Sequence, residues 1–541
     1  GYCFPANLIT SHDGTSIDIQ VFVPHPDDRN NLGGFSPLII HGHGFGGNKY
    51  DDFSVPEHFV DAQAALLAWR AGYFVVSFTQ RGFENSSNRI GIMSPDLEGR
   101  DFQELTDWII KHMRGPSNGA VLNSAGDTDS IYNFVFDSNN ASHTSTTPDA
   151  ADTRPSLLRN DSGTRLLGGE QAACNPTNFP TIDPDCDPAL GTVGYSYGGG
   201  FQYTASHADN PGRYGGERVD AIAPEGTWFD LRYSLHANDV PKSVWIELLT
   251  TFALQGGNGS QLPDALVQGQ VESKALNRVS APVLNDSFRP NSPIEYCDTT
   301  NGTTTLTADL FHMQGYRDTL FNFNEGYDNA LCFERAGNDV RLLQLVGGHP
   351  TPLITETNYT GRSTSMDVDE VVHCGVDGGG DPQRLYVKDM IFNWFEEKLR
   401  GVAGAADMIP NVCIVQQNTD PSDTLVDPNF TDDNGGGNPD TAFKYPKEGI
   451  TYNSVTEILV GASDLNGSGP QYACDTPAQG GFLGAHVCDI PATVVNFGPD
   501  PVTGNTRTFI PVFTAPTGES RVMAGIPTAV LNVDTLHPDL V

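Results

Sequence analysis

The chain has 541 residues, and 30 Lys and Arg stand against 67 Asp and Glu, a formal net charge of -37. A field of that sign repels phosphate backbones and anionic membranes, which argues against nucleic acid as a partner, and no run approaches the roughly 20 apolar residues of a membrane span. The length exceeds one ordinary core, so two or three folding units are expected.

Ile17-Asp18-Ile19-Gln20-Val21-Phe22-Val23 alternates as a half-buried strand does. Pro37-Leu38-Ile39-Ile40 is a continuous apolar run, the pattern of a central parallel strand. It opens into the Gly-rich loop His41-Gly42-His43-Gly44-Phe45-Gly46-Gly47. Residues 55–71 read as an amphipathic helix, 73–78 as the next buried strand, and Gln80-Arg81-Gly82-Phe83-Glu84-Asn85-Ser86 as the turn after it. Residues 98–113 form a helix with Phe102, Leu105, Trp108 and Ile109 on one face. From 115 to 188 the periodicity gives way to Ser, Thr, Asn, Asp, Gly and Pro, an irregular insertion.

Leu190-Gly191-Thr192-Val193 then reads as a short buried strand, and Gly194-Tyr195-Ser196-Tyr197-Gly198-Gly199-Gly200 as a sharp turn into the helix that Phe201-Gln202-Tyr203-Thr204-Ala205 continues. Residues 219–224 are a strand, and 227–305 are mostly helical in pattern, including 244–254, and form a cap. Residues 307–315 and 340–346 are two more strands, and 384–400 a closing amphipathic helix. Beyond 401, residues 418–440 are rich in Asp, Asn, Pro and Gly, while 508–513 and 529–533 read as strands of an all-β module. The division expected is a core of 1–226 and 306–400, a cap of 227–305 and a module of 401–541 whose completeness stays open.

Alternating strands and helices build a mostly parallel sheet with helices on both faces. On such a sheet the chemistry gathers on loops leaving the carboxyl ends of the strands. Ser196 lies there within Gly-x-Ser-x-Gly, Asp318 follows the strand 307–313, and His349 follows the strand 340–346. Ser, then Asp, then His is the chain order of the α/β-hydrolases. A serine hydroxyl is a poor nucleophile until a neutral imidazole accepts its proton, and a carboxylate fixes the imidazole tautomer. The backbone N–H groups of Phe45 and Tyr197 stand where an oxyanion needs donors. His373 competes for the base, whereas Asp309, within a strand, and Asp328, within a helix, are less well placed than Asp318. His41 and His43 lack a third ligand at metal spacing and read as loop residues. This chemistry requires no cofactor.

The loop 41–47, Gln80-Arg81-Gly82-Phe83, the stretch from Asp101 to Trp108 and Gly194-Tyr195-Ser196-Tyr197-Gly198-Gly199 resemble the landmarks of cocaine-esterase-like and Xaa-Pro dipeptidyl-peptidase-like serine hydrolases. Ala221-Ile222-Ala223-Pro224 followed by Trp228-Phe229-Asp230-Leu231 is similar to the segment that leads into their helical cap. The resemblance covers most of 15–400. It implies an α/β-hydrolase fold with a helical cap and a C-terminal module of jelly-roll type, cleaving an ester or amide through an acyl-enzyme. Two departures stand out: better-known members use a tyrosine hydroxyl in the oxyanion hole where this chain has Phe45, and the long insertion before Ser196 is not typical.

Trp228, Phe229 and Trp245, with Tyr233 and Phe252, give the cap aromatic surface suited to an apolar acyl or leaving group. The expected substrate is therefore an ester or amide, small or polymeric, and the leading activity that of a carboxylesterase. An exopeptidase releasing Xaa-Pro dipeptides is the alternative, and would need a cap carboxylate for the substrate α-amine, for which Asp230, Asp239 and Glu247 are available. A surface or assembly protein retaining a hydrolase fold is a further alternative, of another class.

The nine cysteines contain no Cys-x-x-Cys pair, which argues against structural zinc. Scattered among polar loops, they fit disulfides formed in an oxidising compartment, and Cys174 with Cys186 and Cys474 with Cys488 would each close a short loop. A secreted or periplasmic protein is therefore expected; no charged-then-apolar leader is present, so a signal peptide, if there was one, has been removed. Asp464, Asn466, Ser468 and Asp475 stand at calcium-loop spacing, with Ca2+ as a structural ion; the flanks lack paired helices, and Asn-Gly and Ser-Gly are also ordinary turn pairs.

Overall fold

The computed structural model describes residues 2–24, 35–51, 60–112, 156–157, 187–210, 217–236, 241–256, 263–264, 266–267, 271, 287–297, 306–315, 318–345, 348–349, 371–376, 382–414, 450–455, 495–499 and 506–509. The strands in chain order are β1 (Tyr2–Thr10), β2 (Ser16–Val23), β3 (Phe35–Ser36), β4 (Leu38–Gly42), β5 (Phe74–Thr79), β6 (Ser156–Leu157), β7 (Leu190–Tyr195), β8 (Val219–Glu225) and β9 (Asp309–Gly315). They continue as β10 (Val340–Leu345), β11 (Val371–Val376), β12 (Pro382–Tyr386), β13 (Val412–Ile414), β14 (Ile450–Tyr452), β15 (Val495–Pro499) and β16 (Thr506–Phe509). The helices are α1 (Val60–Arg70), α2 (Glu98–His112), α3 (Tyr197–Ala208), α4 (Leu231–His236), α5 (Ser243–Gly256), α6 (Pro293–Tyr296), α7 (Phe323–Arg335) and α8 (Val387–Arg400).

Ten strands form one sheet in the order β1-β2-β5-β4-β7-β8-β9-β10-β13-β14. Every pairing from β5 to β13 is parallel, while β1, β2 and β14 run antiparallel to their neighbours. Parallel strands need both faces covered, and the alternation of side chains divides the sheet accordingly. Ile39, Val75, Val193, Phe311 and Leu343 share one core cluster with Leu66 of α1 and Trp394 and Phe395 of α8. On the other face Phe201 of α3 packs edge-on against Phe78 of β5 and Phe102 of α2, at 4.9 and 5.7 Å between ring centres. Tyr203 of α3 meets Phe333 of α7 at 5.6 Å on that same side. Each such buried Leu or Phe contributes roughly 1.5–3 kcal/mol.

Two sequence expectations differ from the structure. β2 is buried along nearly its whole length, its polar residues included. It lies between β1 and β5, and the turn after β5 covers it: Ser86 Oγ accepts from the Asp18 amide (2.9 Å) and Asn85 Nδ2 donates to Asp18 Oδ2 (3.2 Å). The boundary at 401 also fails, because β13 and β14 complete the main sheet. The chain instead divides into one unit of Gly1–Val455 with Asn532–Val541 and a second of Thr456–Leu531. In the second the described strands are the antiparallel pair β15 and β16; the rest of the expected β module lies outside the described residues. So do nearly all of the insertion 115–188, the two short-loop cysteine pairs and the calcium-loop residues Asp464, Asn466, Ser468 and Asp475.

Two longer-range disulfides are present among the described residues, Cys297–Cys332 and Cys374–Cys413, with sequence separations of 35 and 39. The first joins the residue after α6 to α7, and the second β11 to β13. Loops of that length contribute roughly 4 kcal/mol each on the chain-entropy account. No local spacing announces them, since their partners meet only once the sheet has formed.

Candidate active site

The parallel strands deliver their carboxyl ends to one edge, and the loops there carry the residues of interest. β7 ends in Tyr195, and Ser196 follows at φ 58° and ψ -114°, outside the normal regions for a residue with a Cβ. Such a conformation costs on the order of 1–3 kcal/mol and persists only where its surroundings enforce it. Here the Ser196 amide donates to the Glu225 carbonyl (2.8 Å), and its carbonyl accepts from the amides of Gly199 and Gly200 (2.9 and 3.0 Å). The glycines after it are required by space. A Cβ on Gly198 would overlap the Gly42 carbonyl of β4, and one on Gly200 would overlap the Trp228 ring.

The loop 41–47 is braced from the next loop along the sheet. The Gln80 amide donates to His43 Nε2 (2.9 Å), and Gln80 Nε2 to the His43 carbonyl (2.8 Å). His43 Nε2 is thus an acceptor, and Nδ1–H donates to the Gly44 carbonyl (2.7 Å). Burial holds its pKa down at about 4, so it is neutral. Phe45 packs edge-on against Phe83 and Tyr197 at 5.2 and 5.1 Å, and Gly44 lies beside Ser196 Cβ. His41 is not a loop residue as expected. It ends up buried in β4, with Nδ1 3.0 Å from Ser77 Oγ and Nε2 3.3 Å from Asp61 Oδ2. Both histidines are structural, and neither stands in the one cluster of potential metal ligands among the described residues, His12, Asp13 and Asp101. Arg81 occupies that cluster, pairing with Asp101 at 2.6 Å and Asp13 at 3.0 Å.

His349 and Asp318 meet directly, Nδ1 to Oδ2 at 2.6 Å. The other carboxylate oxygen accepts the amides of Leu320 (2.8 Å) and Phe321 (2.7 Å). The carbonyls of this loop are taken as well: Lys242 Nζ donates to those of Thr319 (3.1 Å) and Leu320 (2.9 Å), and Gln314 Nε2 to that of Phe321 (2.6 Å). Thr319 Oγ1 donates to the His349 carbonyl (2.9 Å). The imidazole stacks on Tyr195 at 4.7 Å and meets the edges or faces of Phe321 and Trp245 at 5.2 and 6.0 Å. Its Nε2 is buried and takes no hydrogen bond among the described residues. Asp309 is instead bound to Lys398 Nζ (2.8 Å), Asp328 lies in α7, and His373 lies in β11.

Ser196 opens onto a pocket walled by the core and by the cap segment. The core contributes Phe45, Ile92, Tyr197, Leu320 and Phe321 to its wall. From the cap segment come Trp228, Leu231, Leu235 and Leu249, with Leu266 and Phe288. No charged side chain lines it among the described residues. Of the expected aromatic lining only Trp228 is there. Phe229 is not in the wall, Trp245 packs on His349, and Tyr233 and Phe252 are exposed by 43 and 39 %. Leucines at one-turn spacing on α4 form the lining instead, a pattern that also fits an ordinary helix core.

Two buried glutamates escaped sequence reasoning. Glu98 and Glu325 are each pushed up to about 7, chiefly by burial. Glu325 Oε2 accepts the amides of Phe229 (2.6 Å) and Asp230 (2.9 Å), and Oε1 the Ser234 hydroxyl (2.6 Å), fastening the start of the cap to α7. A carboxyl raised on folding stabilises fully below its unfolded value near 4.5, and that stability is lost as pH rises through about 7. Glu325→Gln removes the charge; its single oxygen keeps the Phe229 and Asp230 amides, and its NH2 faces the Ser234 hydroxyl, which can turn to accept. Its melting temperature relative to wild type is expected to improve steadily from pH 5 to pH 8; a difference independent of pH contradicts the assignment.

A parallel sheet presenting a strained serine and an Asp-paired histidine along one edge has the architecture of an α/β-hydrolase. A family model for the X-Pro dipeptidyl-peptidases (S15 family) matches residues 13–346, more than half of the chain, and the chain belongs to that family. No curated protein matches it in sequence. Among solved structures it is similar to a CocE/NonD family hydrolase from Staphylococcus aureus, with 12% identity over 76% of this chain and 53% of that one, TM-score 0.41. It is similar also to the Pyrococcus horikoshii acylaminoacyl peptidase (13% identity, 74% of this chain, 42% of that one, TM-score 0.36). An aminopeptidase from a marine sediment Thaumarchaeota archaeon gives 11% identity, 77% and 57% coverage and TM-score 0.40. The chain spans about half the length of these solved proteins.

Proposed function

We propose that the chain is a serine hydrolase for neutral, apolar esters, a carboxylesterase working outside the cytosol through an acyl-enzyme. In this reading Ser196 Oγ attacks the ester carbonyl while its proton passes to His349 Nε2, and Asp318 stabilises the resulting imidazolium. The N–H of Tyr197, first residue of α3 and so without an intrahelical acceptor, and that of Phe45 hold the oxyanion. Collapse breaks the bond to the alkoxide, which leaves as an alcohol with the proton from His349. Water, deprotonated by the same nitrogen, then releases the acid and restores Ser196.

The observation that carries this reading is the lining of the cavity at Ser196: among the described residues its side chains are apolar apart from the serine, the Tyr197 hydroxyl and the Trp228 indole N–H. That hydroxyl is turned to Glu98 (3.3 Å). Family membership favours a second reading, release of Xaa-Pro dipeptides, which requires a carboxylate for the cationic α-amine. Among the described residues the cap acids supply none of the lining: Asp230 is paired with Arg232 at 3.1 Å and Glu247 is absent from the wall, while Asp239 lies outside the described residues. The two disulfides support a site of action in an oxidising compartment.

The test compares kcat/KM for a p-nitrophenyl ester and for an Ala-Pro anilide, each relative to its uncatalysed hydrolysis. The ester is expected to show the larger enhancement. An advantage to the anilide of tenfold or more, about 1.4 kcal/mol of transition-state discrimination, moves the protein to the peptidase reading.

A further inference from the structure

The loop 88–94, between the turn after β5 and helix α2, is strained where it meets the cavity. Asn88, Ile92 and Met93 have φ of 70°, 56° and 59°, and a β-branched residue such as Ile scarcely ever adopts such a value. Its backbone polar groups are fastened on every side. The amides of Gly91 and Ser94 donate to Glu98 Oε1 (2.6 Å) and Oε2 (2.9 Å), and that of Met93 to Tyr197 Oη (3.3 Å). The Met93 carbonyl accepts from Thr204 Oγ1 (3.1 Å), and that of Gly91 from Asn291 Nδ2 (2.9 Å). A Cβ on Gly91 would collide with the Glu98 carboxylate. The side chain that this arrangement presents to the cavity, beside Ser196 and Tyr197, is Ile92, itself 5 % exposed.

We propose that Ile92 is the wall that sets acyl-chain length and that Glu98 is the positioning residue that holds it there; this rests on the ester-hydrolase reading above. Strain survives where surrounding contacts over-determine it, and here those contacts converge on one apolar side chain facing the cavity. Glu98 is suited to the task because each of its oxygens accepts a backbone N–H. Glutamine offers an acceptor to only one of the two amides and turns its own NH2 toward the other, so one strand of the clamp is released.

The test measures kcat/KM for p-nitrophenyl acetate, butyrate, octanoate and decanoate with wild type, Ile92→Ala, Ile92→Phe and Glu98→Gln. It also measures rates of Ser196 labelling by ethyl and octyl fluorophosphonates, which read the pocket without reference to any natural substrate. Ile92→Ala is expected to raise the long-to-short ratio about tenfold and Ile92→Phe to lower it by a similar factor, the scale of one or two methylenes in an apolar pocket. Glu98→Gln is expected to move the ratio in the alanine direction. Ratios unchanged in both Ile92 variants, with esters still cleaved, overturn the wall and leave the ester reading standing. A wild type inert toward esters, whose fluorophosphonate ratio nonetheless moves with Ile92, overturns the ester reading and leaves the wall. A uniform loss in Glu98→Gln across all chain lengths overturns its positioning role; if that variant does not fold, the Ile92 pair still decides the wall.

Discussion

Asp318→Asn is expected to lower kcat about 10⁴-fold while leaving the fold intact. The magnitude follows from where the hydrogen bonds lie. Asp318 Oδ1 accepts the Leu320 and Phe321 amides at 2.8 and 2.7 Å, so an asparagine there keeps its oxygen toward those two donors. Its NH2 must then face His349 Nδ1, which Oδ2 approaches at 2.6 Å in the wild type. The imidazole is forced to accept at Nδ1 and carry its proton on Nε2, the wrong tautomer to receive a proton from Ser196. The fold is kept because the Leu320 and Phe321 amides retain their acceptor. Steady-state kinetics with an activated ester, together with a melting curve, check both halves. Turnover within tenfold of wild type shows that Asp318 is not the residue that orients the base.

Ser196→Ala is expected to remove turnover almost entirely, on the order of 10⁶-fold where the nucleophile of a triad is lost. Labelling by a fluorophosphonate should disappear with it. A second substitution separates chemistry from strain. Ser196→Gly should be equally inactive yet more stable than the alanine variant by roughly 1 kcal/mol, since glycine occupies φ near 58° without a Cβ penalty. Hydrolysis at a wild-type rate by the folded alanine variant removes Ser196 from the mechanism, and equal melting temperatures for the two variants remove the strain.

Two buried glutamates fasten the segments that wall the cavity at Ser196. Glu325 joins the start of the cap to α7, and Glu98 joins the loop 88–94 to α2. Glu325 holds donors distant in sequence, Glu98 holds the amides of the loop just before it together with the Tyr197 hydroxyl, and each bears on a wall of the same cavity. Desolvation raises both to about 7, so near neutral pH the cavity walls rest on carboxyls close to their midpoints.

Local signals were enough to read much of this from sequence. Strand, sharp turn and helix around Ser196 are written in consecutive residues, because a tight elbow needs glycines at fixed offsets and a buried strand needs an apolar run. The S15 family match agrees with the hydrolase resemblance that those landmarks carry. Asp318 and His349 could be nominated because each follows a strand whose apolar pattern is plain. Only the tertiary structure decided what required distant partners. Whether β2 has one buried face or two depends on the turn that folds over it, and whether the strands after 401 belong to a separate module depends on the edge they join. Cys297 meets Cys332, and Cys374 meets Cys413, through the packing of α7 and the sheet. The cavity lining passed from Phe229 and Trp245 to Leu231 and Leu235 because the direction a cap helix faces is set by how the cap docks. Ile92 carries no sequence signal at all: its place beside Ser196 comes from a loop conformation that hydrogen bonds from three other parts of the chain impose.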